Sequence, residues 1–206
     1  MRQLVDLTLV ELLREFSSPS PTPGGGCASA LAGAAGAALL AMVAAMEKTR
    51  TGAAGEREAL DRVKEQVLNG RDHMTRLIDG DASAYNAVLA AYRLPKGTEQ
   101  QQAARKLAIE GALRGATEVP LDVMRACHAL AREASIVGQH GNPAARSDVA
   151  VALELLSAAL RGAASNVRTN LHGIHDVGIV EGVRDEVRHL ESSMEEAIAR
   201  ARATLE

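Results

Sequence analysis

The stretch Ile78-Asp79-Gly80-Asp81-Ala82-Ser83-Ala84-Tyr85 sets two carboxylates into a segment patterned as a long helix. On that helix Asp81, Tyr85, Val88 and Tyr92 succeed one another at spacings of four, three and four and share a face, whereas Asp79 points largely away. A carboxylate tied to an apolar and aromatic face is partly withdrawn from water, and burial raises its proton affinity toward the range useful in acid–base chemistry. Asp81 is therefore a candidate general acid/base. An ordinary solvated aspartate is the reading that spacing alone leaves open.

Other polar groups stand in apolar surroundings. In Pro21-Thr22-Pro23-Gly24-Gly25-Gly26 three residues without side chains precede a helix, so bare amides and a helix N-terminus lie open to close approach. The phosphate-loop pattern is excluded, because no Lys-Ser/Thr follows the glycines and no strand precedes them. A tight helix entry packed on a neighbour is the alternative. The turn His140-Gly141-Asn142 with Ser147-Asp148, and the pair Asn166 and Asn170, are further candidates; buried amides at helical spacing either bridge helices or face a ligand. His172, His175 and Asp176 match no zinc or di-iron spacing, so no metal site is expected.

The elements that must hold these groups are helical from end to end. Leu4, Leu7, Val10, Leu12 and Leu13 make an amphipathic opening helix that stops near Ser17, before Pro19, Pro21 and Pro23. Cys27 to Met46 carries no charge, which predicts a central Ala/Gly-rich helix wrapped by others; a membrane span of that length lacks an aromatic belt and a second apolar segment. A long helix follows from Glu56 to about Arg93. The next opens at Thr98 with Gln101 as a capping box, another begins at Thr117 with Pro120 in its first turn and ends near Gly138, and Asn142-Pro143 starts a helix toward Asn170. The last helix spaces Val180, Val183, Val187, Leu190 and Met194 like a coiled coil. The expected fold is all-α, a single helical bundle of about six or seven helices over residues 1–206.

Composition narrows the function classes. Hydrophobic residues are 47% of the 206 but aromatics only 1%, so the core is built from Ala, Leu, Val, Ile and Met, which suits close helix packing. A net charge of −3 with scattered Arg and Glu offers no basic field for nucleic acid. Cys27 and Cys127, each in apolar sequence, read as small buried residues of a reduced, cytoplasmic protein, and the N-terminal stretch lacks the basic and uninterrupted apolar regions of a signal peptide.

The ordered series PTPGGG, IDGDASAY, LPKGT, VPL, GNPAARSD and NVRTNL, from about residue 10 to 190, resembles the cyclodeaminase/cyclohydrolase family of tetrahydrofolate enzymes. The resemblance implies an all-α homodimer acting on the one-carbon unit between N5 and N10 of tetrahydrofolate. Its two reactions are closure of the 5-formimino to the 5,10-methenyl form with loss of ammonia, and interconversion of the methenyl and 10-formyl forms. Neither requires a metal or redox cofactor. The family's catalytic aspartate falls on Asp81. By similarity Gly24, Gly25, Gly26, Lys96, Asn142 and Asp148 are candidates for the folate pocket, with Lys96 meeting the glutamate tail. The chain departs from the family pattern at EKTRTGAAGERE, where Glu47, Glu56 and Glu58 replace basic or aromatic residues. That departure motivates a second reading, a dimeric folate-binding or scaffold protein that has lost the chemistry.

Overall fold

The computed structural model describes residues 2–206, and among them there are six α-helices and no strand. The helices are α1 (Leu9–Phe16), α2 (Gly25–Ala45), α3 (Ala54–Tyr92), α4 (Glu99–His140), α5 (Arg146–Leu171) and α6 (Val177–Ala203). Short 3₁₀ turns at Leu4–Asp6 and Pro143–Ala145 precede α1 and α5.

The uncharged helix α2 packs against α3 and α5, with α4 behind it, and α6 rests on α4. Small residues set the spacing: a Cβ on Gly33 would stand 2.7 Å from Met74 Cε of α3, and one on Gly36 3.0 Å from the Ala152 carbonyl of α5. Gly26 lies beside Asp81 and Gly25 beside Asn166, so α2 runs antiparallel to both neighbours. One hydrophobic cluster, including Leu40, Leu60, Met74, Met124, Leu153 and Leu156, joins α2 to α5 and continues into α6 through Leu190 and Met194.

Helix ends follow local chemistry. Thr98 and Gln101 form the expected capping box at the start of α4, Asp176 accepts from the Ile179 amide at the start of α6, and α3 closes before the Leu94-Pro95 turn. The opening segment differs from the expected continuous helix. It breaks at Leu7, and Thr8 with Glu11 caps a separate α1 whose Leu9, Val10 and Leu13 face outward while Leu12 is buried.

The second difference is at Pro120. No helix starts at Thr117; α4 runs unbroken for 42 residues with Pro120 in its interior. Proline has no N–H to donate to the carbonyl four residues back, which here is that of Ala116. Asn170 of α5 donates its side-chain amide to that carbonyl at 2.8 Å and so supplies the missing bond. Of the two roles open to Asn170, it bridges helices.

Candidate functional site

The N-terminus of α2 and the middle of α3 meet at Asp81. Gly24 is the N-cap residue of α2 and has no side chain to cap it; Gly25, Gly26 and Cys27 form the first turn, where amides have no intrahelical partner. Asp81 fills this vacancy from another helix. Its Oδ2 accepts from the Cys27 thiol at 3.2 Å, and the backbone N–H of Cys27 draws the carboxylate toward its ionised form. A Cβ on Gly26 would lie 2.0 Å from Oδ1 and 2.4 Å from Cγ, so the carboxylate occupies the space that any side chain there would need. Gly25 is different: a Cβ there would make an ordinary contact, 3.6 Å from Asn166 Nδ2. Of the three glycines, Gly26 is the one whose missing side chain admits Asp81.

Electrostatics at this point are in opposition. Burial pushes the Asp81 carboxyl above its ordinary value, and the Cys27 thiol and amide pull it back. Cys27 is fully buried, and burial followed by the negative charge of Asp81 pushes its thiol up to about 12, so it remains a protonated donor. Asp79 turns the other way, as its spacing predicted, and accepts from the amides of Leu4 (2.7 Å) and Val5 (3.3 Å). It anchors the N-terminal segment, and a cleft of about 440 Å³ runs between that segment and α3, walled by Thr22, Pro23, Asp79, Ala82, Ser83 and Asn86. Along the shared face of α3, Val88 is buried while Tyr85 and Tyr92 are partly exposed.

Lys96 stands beyond the end of α3, about 16 Å along the helix from Asp81 to Tyr92 plus the turn. It lines a cleft of about 560 Å³ with Tyr92, Arg105, Lys106, Glu110 and His175. Arg105 donates to the Tyr92 carbonyl at 2.9 Å and lies over the Tyr92 ring, 5.6 Å from its centroid. Arg105 and Lys106 were not singled out by sequence; their spacing from Lys96 across a helix cap was the available signal.

Asn142 and Asp148 lie elsewhere. Gly141 abuts Val43 near the far end of α2, about 26 Å from Gly26 at the rise of a helix. Asn142 Oδ1 caps the following turn by accepting from the Ala144 amide at 3.0 Å, and Asp148 is a half-buried residue of the first turn of α5. Within one chain they are not part of the Asp81 site. The divergent Glu56 is also at that end: its Oε2 accepts from Thr49 Oγ1 (2.7 Å) and the amides of Thr51 (2.9 Å) and Gly52 (3.1 Å), holding a turn in which Gly52 has φ +84°. Glu56 thus has a structural task, remote from Asp81. Asp176 caps α6 and contacts Arg114, and among the described residues no three His, Cys, Asp or Glu side chains converge as metal ligands.

A helical bundle that presses a half-buried carboxylate against the open first turn of its central helix is an arrangement suited to proton transfer. Its relatives give that arrangement a family. Residues 8–189 match the family Formiminotransferase-cyclodeaminase. The chain is 38% identical over 190 residues to a methenyltetrahydrofolate cyclohydrolase of Methylorubrum extorquens, covering 92% of this chain and 90% of that protein. It is 32% identical over 177 residues to a formimidoyltransferase-cyclodeaminase of Gallus gallus, covering 84% of this chain but 32% of the longer protein. The solved structure of formiminotetrahydrofolate cyclodeaminase from Thermotoga maritima superposes with a TM-score of 0.86 at 28% identity, over 97% of this chain and 96% of the other. The chain belongs to the formiminotransferase-cyclodeaminase family and is an enzyme of the cyclodeaminase/cyclohydrolase type.

Proposed function

We propose that the protein acts on the one-carbon unit of tetrahydrofolate, as a methenyltetrahydrofolate cyclohydrolase or a formiminotetrahydrofolate cyclodeaminase, with Asp81 moving the protons. The observation that carries this reading is the Asp81 carboxylate, held at the first turn of α2 and raised in proton affinity by burial. Near-full-length similarity to the Methylorubrum cyclohydrolase supports placing the hydrolytic reaction first.

In that reaction water adds to the cationic methenyl carbon and its proton passes to Asp81. The resulting tetrahedral carbon loses its bond to N5 as the proton is returned to that nitrogen, and the hydroxyl proton passes through the freed carboxylate to solvent as the C=O forms, leaving the neutral 10-formyl product. In the deaminase reaction N10 attacks the formimino carbon, gives its proton to Asp81, and ammonia leaves with a proton from the same carboxyl. Ionised Asp81 also stabilises the cationic carbon. Both sequences consist of proton transfers and addition or elimination at one carbon, which require neither a metal nor a redox cofactor.

An elongated substrate with its reactive carbon at Asp81 and its tail along α3 brings its carboxylates to the cleft of Lys96, Arg105 and Lys106. Gly24 and Gly25 lend the pocket an open backbone edge. A homodimer is the proposed cytoplasmic form. Ala28, Ala35, Ala38, Met42 and Ala45 form an exposed, uncharged stripe along α2, with Leu31 and Leu39 half-covered beside it, and a second copy is the occupant proposed for it. The glutamate variant Ala35→Glu is expected to sediment as a monomer while the parent sediments as a dimer; a monomeric parent refutes this interface.

The reaction is tested by following the near-ultraviolet absorbance of 5,10-methenyltetrahydrofolate and, separately, ammonia release from the formimino substrate. Asp81→Asn keeps an acceptor for the Cys27 thiol but cannot cycle a proton, and is expected to lose about 10²-fold or more in kcat with the fold retained. An inactive parent in both assays, or a fully active Asp81→Asn, overturns the proposal.

A further inference from the structure

Among the described residues, Cys27 is the side chain hydrogen-bonded to Asp81, and the proposed chemistry gives it no task. It is completely buried, and its thiol meets Oδ2 at 3.2 Å across the α2–α3 interface. No other titratable side chain takes part. On α3 Asp79 is turned to the Leu4 and Val5 amides, from α4 the apolar Val119 faces Gly80, from α5 the neutral Asn166 lies beside Gly25, and among the described residues no ion pair includes Asp81.

We infer that Cys27 is a positioning residue acting through Asp81: its S–H bond to Oδ2 fixes the rotation of the carboxylate and favours the ionised form against the burial that opposes it. The thiol is suited to this because it stays protonated, pushed up to about 12, and so donates throughout the working pH range. It is also a weak donor, which tempers the carboxylate's proton affinity without locking it as a stronger donor does. Covalent catalysis is not its part, since a nucleophilic cysteine needs a lowered pKa.

The inference rests on Asp81 being the proton carrier, and the test separates the two. In Cys27→Ala the carboxylate loses a donor, and the acid limb of the kcat/KM pH profile is expected to move upward by about half to one unit. In Cys27→Ser the hydroxyl restores a donor, and the limb is expected to return to the parent position or fall below it. The Asp81 carboxyl ¹³C titration in ligand-free protein should shift in parallel, a readout independent of turnover. A thiol that only fills space changes the rate at every pH and leaves both titrations in place, and that result overturns the inference. An Asp81→Asn variant as active as the parent overturns the function itself.

Discussion

The substitution Gly26→Ala tests the site while leaving Asp81 itself unchanged in the sequence. The added Cβ would stand 2.0, 2.4 and 2.5 Å from the three terminal atoms of Asp81. Restoring an ordinary separation of about 3.5 Å moves the nearest oxygen by about 1.5 Å. A displacement on the order of 1 Å from productive geometry costs about 10² in rate, or about 2.7 kcal/mol of transition-state stabilisation. Alanine also favours a helix over glycine by roughly 0.5–1 kcal/mol, so the strain at Asp81 is partly offset and the variant should stay folded. The expected result is a loss of about 100-fold in kcat for 5,10-methenyltetrahydrofolate hydrolysis with a melting temperature within a few degrees of the parent. Gly25→Ala is the control. Its Cβ makes an ordinary contact with Asn166, so its activity should fall by less than about threefold, on the order of half a kcal/mol. Equal activities for both variants refute the placement of the chemistry at Asp81.

Three further outcomes are expected. Asn170→Ala orphans the Ala116 carbonyl and should cost about 1–3 kcal/mol by chemical denaturation, whereas in a Pro120→Ala background the restored amide should reduce that cost to a few tenths; equal costs in both backgrounds remove the assigned bridge. Glu56 is lowered to about 2, first by the Thr51 amide and then by the Thr49 hydroxyl, so its stabilisation is present above its ordinary 4.5 and lost as pH falls toward 2; Glu56→Gln should flatten thermal stability over that range. Lys106→Glu should raise KM for the folate by about tenfold with kcat little changed, and an unchanged KM removes the Lys96 cleft from the binding path.

Much of the helical plan was legible because caps are local. Thr98 and Gln101, Asn142-Pro143 and the proline run after Ser17 each act within a few residues. Pro120 reads equally as a first-turn and as an interior residue, and what decides is Asn170, 50 residues away in sequence and one helix across in space. The face of Asp81 could be read from spacing, but its partner at Gly26 and Cys27 depends on the antiparallel pairing of α2 with α3. Similarity groups Asn142 and Asp148 with Asp81, whereas the single chain holds them at the opposite end of α2, where Gly141 abuts Val43. Helix length alone contained a signal, since a segment of 21 helical residues separates whatever lies at its two ends by about 30 Å.

A structural and a chemical role for Asp81 are usually alternatives, and in the proposed function one follows from the other. A helix N-terminus with no capping side chain needs an acceptor, and an anion there is favoured by the amides and the helix dipole. Burial acts against that charge and wins, leaving the carboxyl above its ordinary 3.8. The sign for stability is therefore opposite to that of Glu56. The folded chain holds the Asp81 proton more tightly than the unfolded chain, so this contribution is fully present below pH 3.8 and is lost as pH rises through the folded-state value. Asp81→Asn abolishes that loss, and relative to the parent its stability should improve as pH rises through the same window even as its activity disappears. A carboxylate kept for capping alone gains nothing from the burial that makes it a worse anion. Under the proposed function, that unfavourable burial serves a proton that moves on and off the carboxylate.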